Sequence, residues 1–170
     1  MATVDLTELF QRLYDSPWAV VIRENDDAFP WIECLHVLAI SVVVGSISVV
    51  DLRLLGLAWR DRPVGALLRH ILPITWIGFV LAAASGFVLF ASNAPTYARN
   101  PFLQLKMGLL VLAGVNMTAF HLWSRRNLPQ WESGPRLPFR AKLAGAVSLL
   151  CWVGIVAAGR WIGFTNVSHP

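Results

Sequence analysis

The sequence predicts an all-α integral membrane protein, an up-and-down four-helix bundle preceded by an amphipathic interfacial segment. Three observations carry that prediction. The 170 residues are 56% hydrophobic and only 14% charged, with a mean hydropathy of +0.57, whereas a soluble domain carries about 25% charged residues. Four apolar runs are each long enough to cross about 30 Å of hydrocarbon at roughly 1.5 Å per helical residue. The basic residues gather in alternate connections between those runs. That distribution points to membrane topology, and away from a nucleic-acid partner, in spite of a pI near 9.7.

Residues 1–28 are expected to form the interfacial segment. Leu6, Leu9, Phe10 and Leu13 recur at helical spacing, and Asp5 with Glu8 three residues later makes a capping pair. Ser16 followed by Pro17 starts a second helix, since Pro tolerates the first helical position, and Trp18, Val20, Val21 and Ile22 supply its apolar side. Both short helices are expected to lie flat on the membrane.

The four spans follow at about 29–58, 65–92, 101–123 and 139–164, forming one transmembrane domain over 29–164 with a short tail at 165–170. Their ends are marked by interfacial aromatics: Trp31 and Trp59 on the first span, Tyr97, Phe102 and Trp123 around the third, Trp161 on the fourth. Small residues four apart let helices approach closely: Gly78, Ala82 and Gly86; Ser41 and Gly45; Gly154 and Ala158. Pro73 is expected to kink the second span, because it removes a backbone donor and crowds the carbonyl four residues earlier. Short connections favour antiparallel neighbours, hence an up-and-down bundle.

Charge orients it. Arg53, Arg60, Arg62 and Arg69 surround the first connection, and Arg125, Arg126, Arg136, Arg140 and Lys142 the third; together they are nine of the fourteen basic residues. The second connection holds only Arg99, and the leader has six acids against two bases. The first and third connections are therefore expected to be cytoplasmic, with both termini outside. The two cysteines, Cys34 and Cys151, lie at different depths and are expected to pack as small apolar residues without a bridge. No basic segment precedes a short apolar core at the start, so no signal peptide is expected.

Ionisable groups inside spans cost about 2.5–3.5 kcal/mol each at mid-bilayer on insertion scales, so each is a candidate site residue. Near the outer ends stand Glu33 and His36 on the first span, Lys106 on the third and Arg160 on the fourth. Glu33 and His36 are three apart and share a face. The structural reading is a Glu33–Lys106 ion pair tying two helices, with His36 as a neutral hydrogen-bond donor. The functional reading notes that Lys106 plus Arg160 exceed Glu33 by one charge and expects an anionic guest such as a lipid headgroup, a haem propionate or a quinone-like oxygen.

Near the inner ends, His70 and His121 share a depth on antiparallel spans, the arrangement a six-coordinate haem b requires. A variant pairs His36 with Met107. Asp51 is expected to pair with an arginine of the inner loops, and Asn116 is the main uncharged polar residue of the interior. The chain has no phosphate-binding loop, dinucleotide glycine fingerprint, HExxH or GxSxG, which leaves a soluble-type enzyme mechanism without a foothold.

The stretches IECLHVLA, VVDLRLLGLAWR, PITWIGFVLAAASGFVLF, NPFLQLKMGLLVLAGVN with FH, and AGRWIGF, preceded by SPWAVVIREND, resemble a family of small bacterial membrane proteins known as a domain of unknown function. The resemblance covers nearly the whole chain and implies a four-helix protein of the bacterial inner membrane, with no activity, cofactor or catalytic residue attached. A looser similarity to four-helix b-type cytochromes is weakened by the missing paired histidines. The expectation is a non-catalytic membrane subunit or small-ligand or lipid-binding bundle, whose partner is the bilayer and which a membrane protein or a second copy would join. The alternative is an electron-transfer protein with haem on His70 and His121, and a transporter ranks third.

Overall fold

The computed structural model describes residues 6–131 and 137–166, with side chains over 6–124 and 137–165. Asp5 of the expected capping pair, residues 167–170 of the tail and the side chains of Arg125, Arg126 and Arg136 lie outside the described residues. The elements are α1 (Leu6–Tyr14), α2 (Pro17–Glu24), α3 (Ala28–Leu55), α4 (Val64–Ser92), α5 (Ala94–Arg99), α6 (Pro101–Trp131) and α7 (Phe139–Asn166). No strand occurs among the described residues. Four helices, α3, α4, α6 over Pro101–Ser124 and α7, are long and apolar enough to cross a membrane. Most of their surface faces outward and is apolar: Leu38, Ile77, Val111 and Leu150 are all exposed. Water would not tolerate such continuous patches, and hydrocarbon requires them.

Local chemistry sets the boundaries. The first span ends at Leu55, three residues before the expected limit, because Gly56 adopts the left-handed conformation at φ 74°. There its N–H donates to the Arg53 carbonyl and that of Leu57 to the Leu52 carbonyl, closing the helix as only glycine does without strain. α4 runs unbroken through Pro73. The second connection, for which no helix was expected, holds the short helix α5.

The order of packing is α4, α3, α7, α6. The interfaces are α3 with α4, α3 with α7 and α6 with α7, while α4 and α6 form none of comparable extent. Small residues explain this order. Gly78 of α4 faces Val42, Val43 and the Ala39 carbonyl of α3; Gly145 of α7 faces the Asp51 carbonyl and Leu54 of α3; Gly154 of α7 faces Leu109 of α6. Gly45, expected to serve the same purpose, has nothing close to it. Two apolar clusters fill the middle: Val43 with Trp152 and Ile155, and Val50 with Leu54, Val64, Phe120 and Ala141.

α1, α2 and α5 gather at one end of the bundle. Phe10 meets Phe90 edge to face, Trp18 stacks on Phe87, and the Arg23 guanidinium covers the Tyr14 ring while donating to the carbonyls of Tyr14 and Ser92. This is called the capped end below. The opposite end, where the α3–α4 connection with Arg60 and Arg62 lies, is the arginine end. Arg53 is buried there, its Nε donating to the Arg62 carbonyl at 2.8 Å.

Candidate functional site

Because α4 and α6 stand apart, the bundle holds two cavities stacked along α3. The capped-end cavity, about 540 Å³, uses residues 29–44 of α3; the arginine-end cavity, about 160 Å³, uses residues 43–54.

The structure brings Glu33, His36, Lys106 and Arg160 to the capped-end cavity together, with Tyr97 of α5 beside them. His36 is half-buried, and its Nδ1 lies 3.0 Å from Ser85 Oγ. That hydroxyl already donates to the Leu81 carbonyl at 2.6 Å, so its one proton is committed and Nδ1–H of His36 is the donor. Gly86 makes this possible: a Cβ there would stand 2.7 Å from His36 Cε1. The expected hydrogen-bond donation by His36 is therefore present, with Ser85 as a partner the sequence reading overlooked. Ser85 could have been found, since it lies seven residues after Gly78 on the same small-residue face of α4.

The expected Glu33–Lys106 ion pair does not form. Among the described residues the ion pairs are Arg12–Glu8 at 2.7 Å and Arg62–Asp61 at 4.0 Å, neither of them within a span. Glu33 is exposed, whereas Lys106 is half-buried with its Nζ 3.7 Å from where a Cβ on Gly159 would be. The ammonium stem thus lies along α7 beside Gly159 and makes no ion pair with Glu33. The Arg160 guanidinium carbon sits 5.0 Å from the centre of the Phe164 ring. The cavity consequently holds two cations and one carboxylate with no ion pair among them.

The histidines expected to share a haem are not brought to one cavity. His121 lines the arginine-end cavity, its Nδ1 2.9 Å from the Met117 carbonyl. His70 is exposed outside that lining, its Nδ1 2.8 Å from the Ala66 carbonyl. The pairing assumed that α4 and α6 were neighbours, and they flank the α3–α7 pair instead. Met107 is exposed and does not line the cavity of His36. No group of three or more His, Cys, Asp or Glu side chains suited to a metal occurs among the described residues.

Asp51 also departs from expectation. It is only 3% exposed and lines the arginine-end cavity, where Ser148 hydrogen-bonds its carboxylate and Oδ2 is left without a partner. Arg53, the nearest arginine in sequence, is turned to the loop carbonyl of Arg62. Asn116 is satisfied across the helix interface, its Nδ2 donating to the Ala144 carbonyl at 2.9 Å. Cys34 is exposed and Cys151 buried, both as free thiols.

This architecture spans the segment that a family model matches, residues 28–165. The chain belongs to the family of unknown function DUF6644. The DUF6644 match begins at the first residue of α3 and ends one residue short of the end of α7, so it takes in both cavities and leaves α1 and α2 outside. No curated protein and no solved structure matches the chain.

Proposed function

We propose that this DUF6644 chain is a non-catalytic protein of the bacterial inner membrane that binds the anionic headgroup of an amphiphile in its capped-end cavity. One observation carries the reading: Lys106 and Arg160 line a cavity of about 540 Å³ and neither forms an ion pair among the described residues. A cavity of that size falls within the ~300–1,000 Å³ of small-ligand sites. Lys106 is half-buried and Arg160 exposed, and two cations facing one carboxylate to which neither is paired leave a net positive charge that favours an anion from outside. Val37 and Val156 both line the cavity and are exposed on the apolar surface, which gives an acyl chain a way out while its head stays with the cations. The clustering of nine of the fourteen basic residues around two connections supports an arginine end in the cytoplasm and a capped end outside.

Native mass spectrometry of the full chain released from detergent, with phosphatidylglycerol and phosphatidylcholine of matched chains added in competition, tests the reading. Phosphatidylglycerol is expected to bind about tenfold tighter, and the double variant Lys106→Gln, Arg160→Gln to lose most of that preference. Equal retention of the two lipids by the unaltered protein would sink it.

A further inference from the structure

The arginine-end cavity is separate from the proposed headgroup site, and its chemistry has the opposite sign. Its polar groups are few: Asp51, Ser148, Asn116, Thr75 and His121. Four of them have partners within the protein. Asn116 donates to the Ala144 carbonyl, Thr75 Oγ1 pairs with Ser46 Oγ at 2.7 Å, His121 bonds the Met117 carbonyl, and Ser148 bonds Asp51. Asp51 Oδ2 is the one fully buried side-chain polar atom without a partner among the described residues, in a residue only 3% exposed and with no cation paired to it. The same cavity is lined by the aromatic side chains of Trp76, Phe79, Phe120 and Trp152.

We propose that this cavity binds a small organic ammonium ion, an aromatic or branched amine in its protonated form, with an N–H donated to Asp51 Oδ2 and its apolar body among the aromatic rings. Three requirements meet in that chemistry. A buried carboxyl with an open oxygen is satisfied by a bound proton or by a donor that also carries positive charge, and a protonated amine is a donor of that kind. Aromatic walls attract cations and apolar bodies alike, the combination by which organic ammonium ions are recognised. A volume of about 160 Å³ is that of a single-ring guest, since cavities near 150 Å³ hold benzene. Water alone would fill the open valence of Asp51 and leave the ring surfaces unused. Access is lateral: Trp76 and Phe79 on α4 and Gly114 on α6 line the cavity and are exposed, so an amine partitioned into the bilayer reaches it between those two helices.

The full chain in phosphatidylcholine nanodiscs, titrated calorimetrically with 2-phenylethylamine, 2-phenylethanol and phenylacetate against empty nanodiscs, tests the proposal. The amine is expected to bind, the alcohol about tenfold or more weaker, and the carboxylate not at all. Asp51→Asn is expected to weaken the amine about tenfold to a hundredfold. Trp76→Leu, an exposed wall position that leaves Asp51 in place, is expected to weaken it several-fold, and serves should Asp51→Asn not fold. Binding of the amine no stronger than to empty nanodiscs, equal binding of amine and alcohol, binding of the carboxylate, or an amine affinity unchanged in either folded variant would each overturn it.

Discussion

The two cavities are built by the same four helices, yet their glycines do different work. At the arginine end Gly145 is a backbone contact: a Cβ there would lie 3.0 Å from both the Asp51 carbonyl oxygen and Leu54 Cβ. At the capped end Gly86 and Gly159 face side chains, the His36 ring and the Lys106 stem. Glycine against backbone draws two helices together and leaves a narrow space walled by rings. Glycine against a polar side chain makes room for that side chain inside an apolar bundle. The first use yields a cavity of about 160 Å³ around one buried acid, the second a cavity of about 540 Å³ with two cations and an exposed acid.

The sharpest way to break this contrast is Gly145→Ala. Neither a carbonyl oxygen nor a Cβ can rotate away, so α3 and α7 must separate, with an overpacking cost of about 1–3 kcal/mol. Substituting Ala for Gly in a helix favours the helix by up to about 1 kcal/mol, so a loss of stability would be a tertiary effect. Unfolding of the purified protein by denaturing detergent measures it. An unchanged or raised midpoint would mean that α3 and α7 are not held at this distance by Gly145.

Gly86→Ala should behave differently, because its obstacle is a side-chain ring. It is expected to destabilise by about 1 kcal/mol with His36 present and to be neutral or stabilising in a His36→Ala background, a coupling of about 1–2 kcal/mol between the two positions. Additive effects would show that the ring does not occupy the space that Gly86 leaves.

How far the sequence disclosed this can be judged from the same residues. The four spans were legible because lipid leaves the backbone no partner but itself, so length and apolarity suffice to find them. The polar residues of the capped end were legible because Glu33, His36, Lys106 and Arg160 stand out against an oily background. Helix adjacency was not. The spans are apolar on nearly every side and give no face to read, and connection length suggested that α4 and α6 touch. The contacts of Gly78, Gly145 and Gly154 send α3 and α7 to the centre, which parts His70 from His121 and opens the cavity that Asp51 enters. α5 was missed because six residues, APTYAR, are too few to show a helical period.

Ser85→Ala probes the polar side of the capped-end cavity alone. It deletes the acceptor of His36 Nδ1–H without adding volume, and is expected to cost about 0.5–1.5 kcal/mol. The Nδ1 proton resonance of His36 in the full chain should shift toward that of a ring without a protein partner. A resonance unmoved by the substitution would sever His36 from Ser85.

Glu33→Ala carries the smallest expected effect and discriminates best between a tether and a binding site. Were Glu33 the partner of Lys106, its loss would leave a buried ammonium unpaired and cost about 3–5 kcal/mol. Glu33 is exposed and unpaired with Lys106, so the expected change in stability is within about 0.5 kcal/mol, the usual range for a surface position. Its effect should appear in binding instead. Glu33 lines the same cavity as Lys106 and Arg160 and repels any anion held there, so removing it raises the net positive charge facing the guest. Retention of phosphatidylglycerol should rise about two- to fivefold, a modest gain because an exposed carboxylate is screened by solvent. A variant that unfolds readily would restore the tether, and one that loses the anionic lipid would make Glu33 part of its binding rather than its rival.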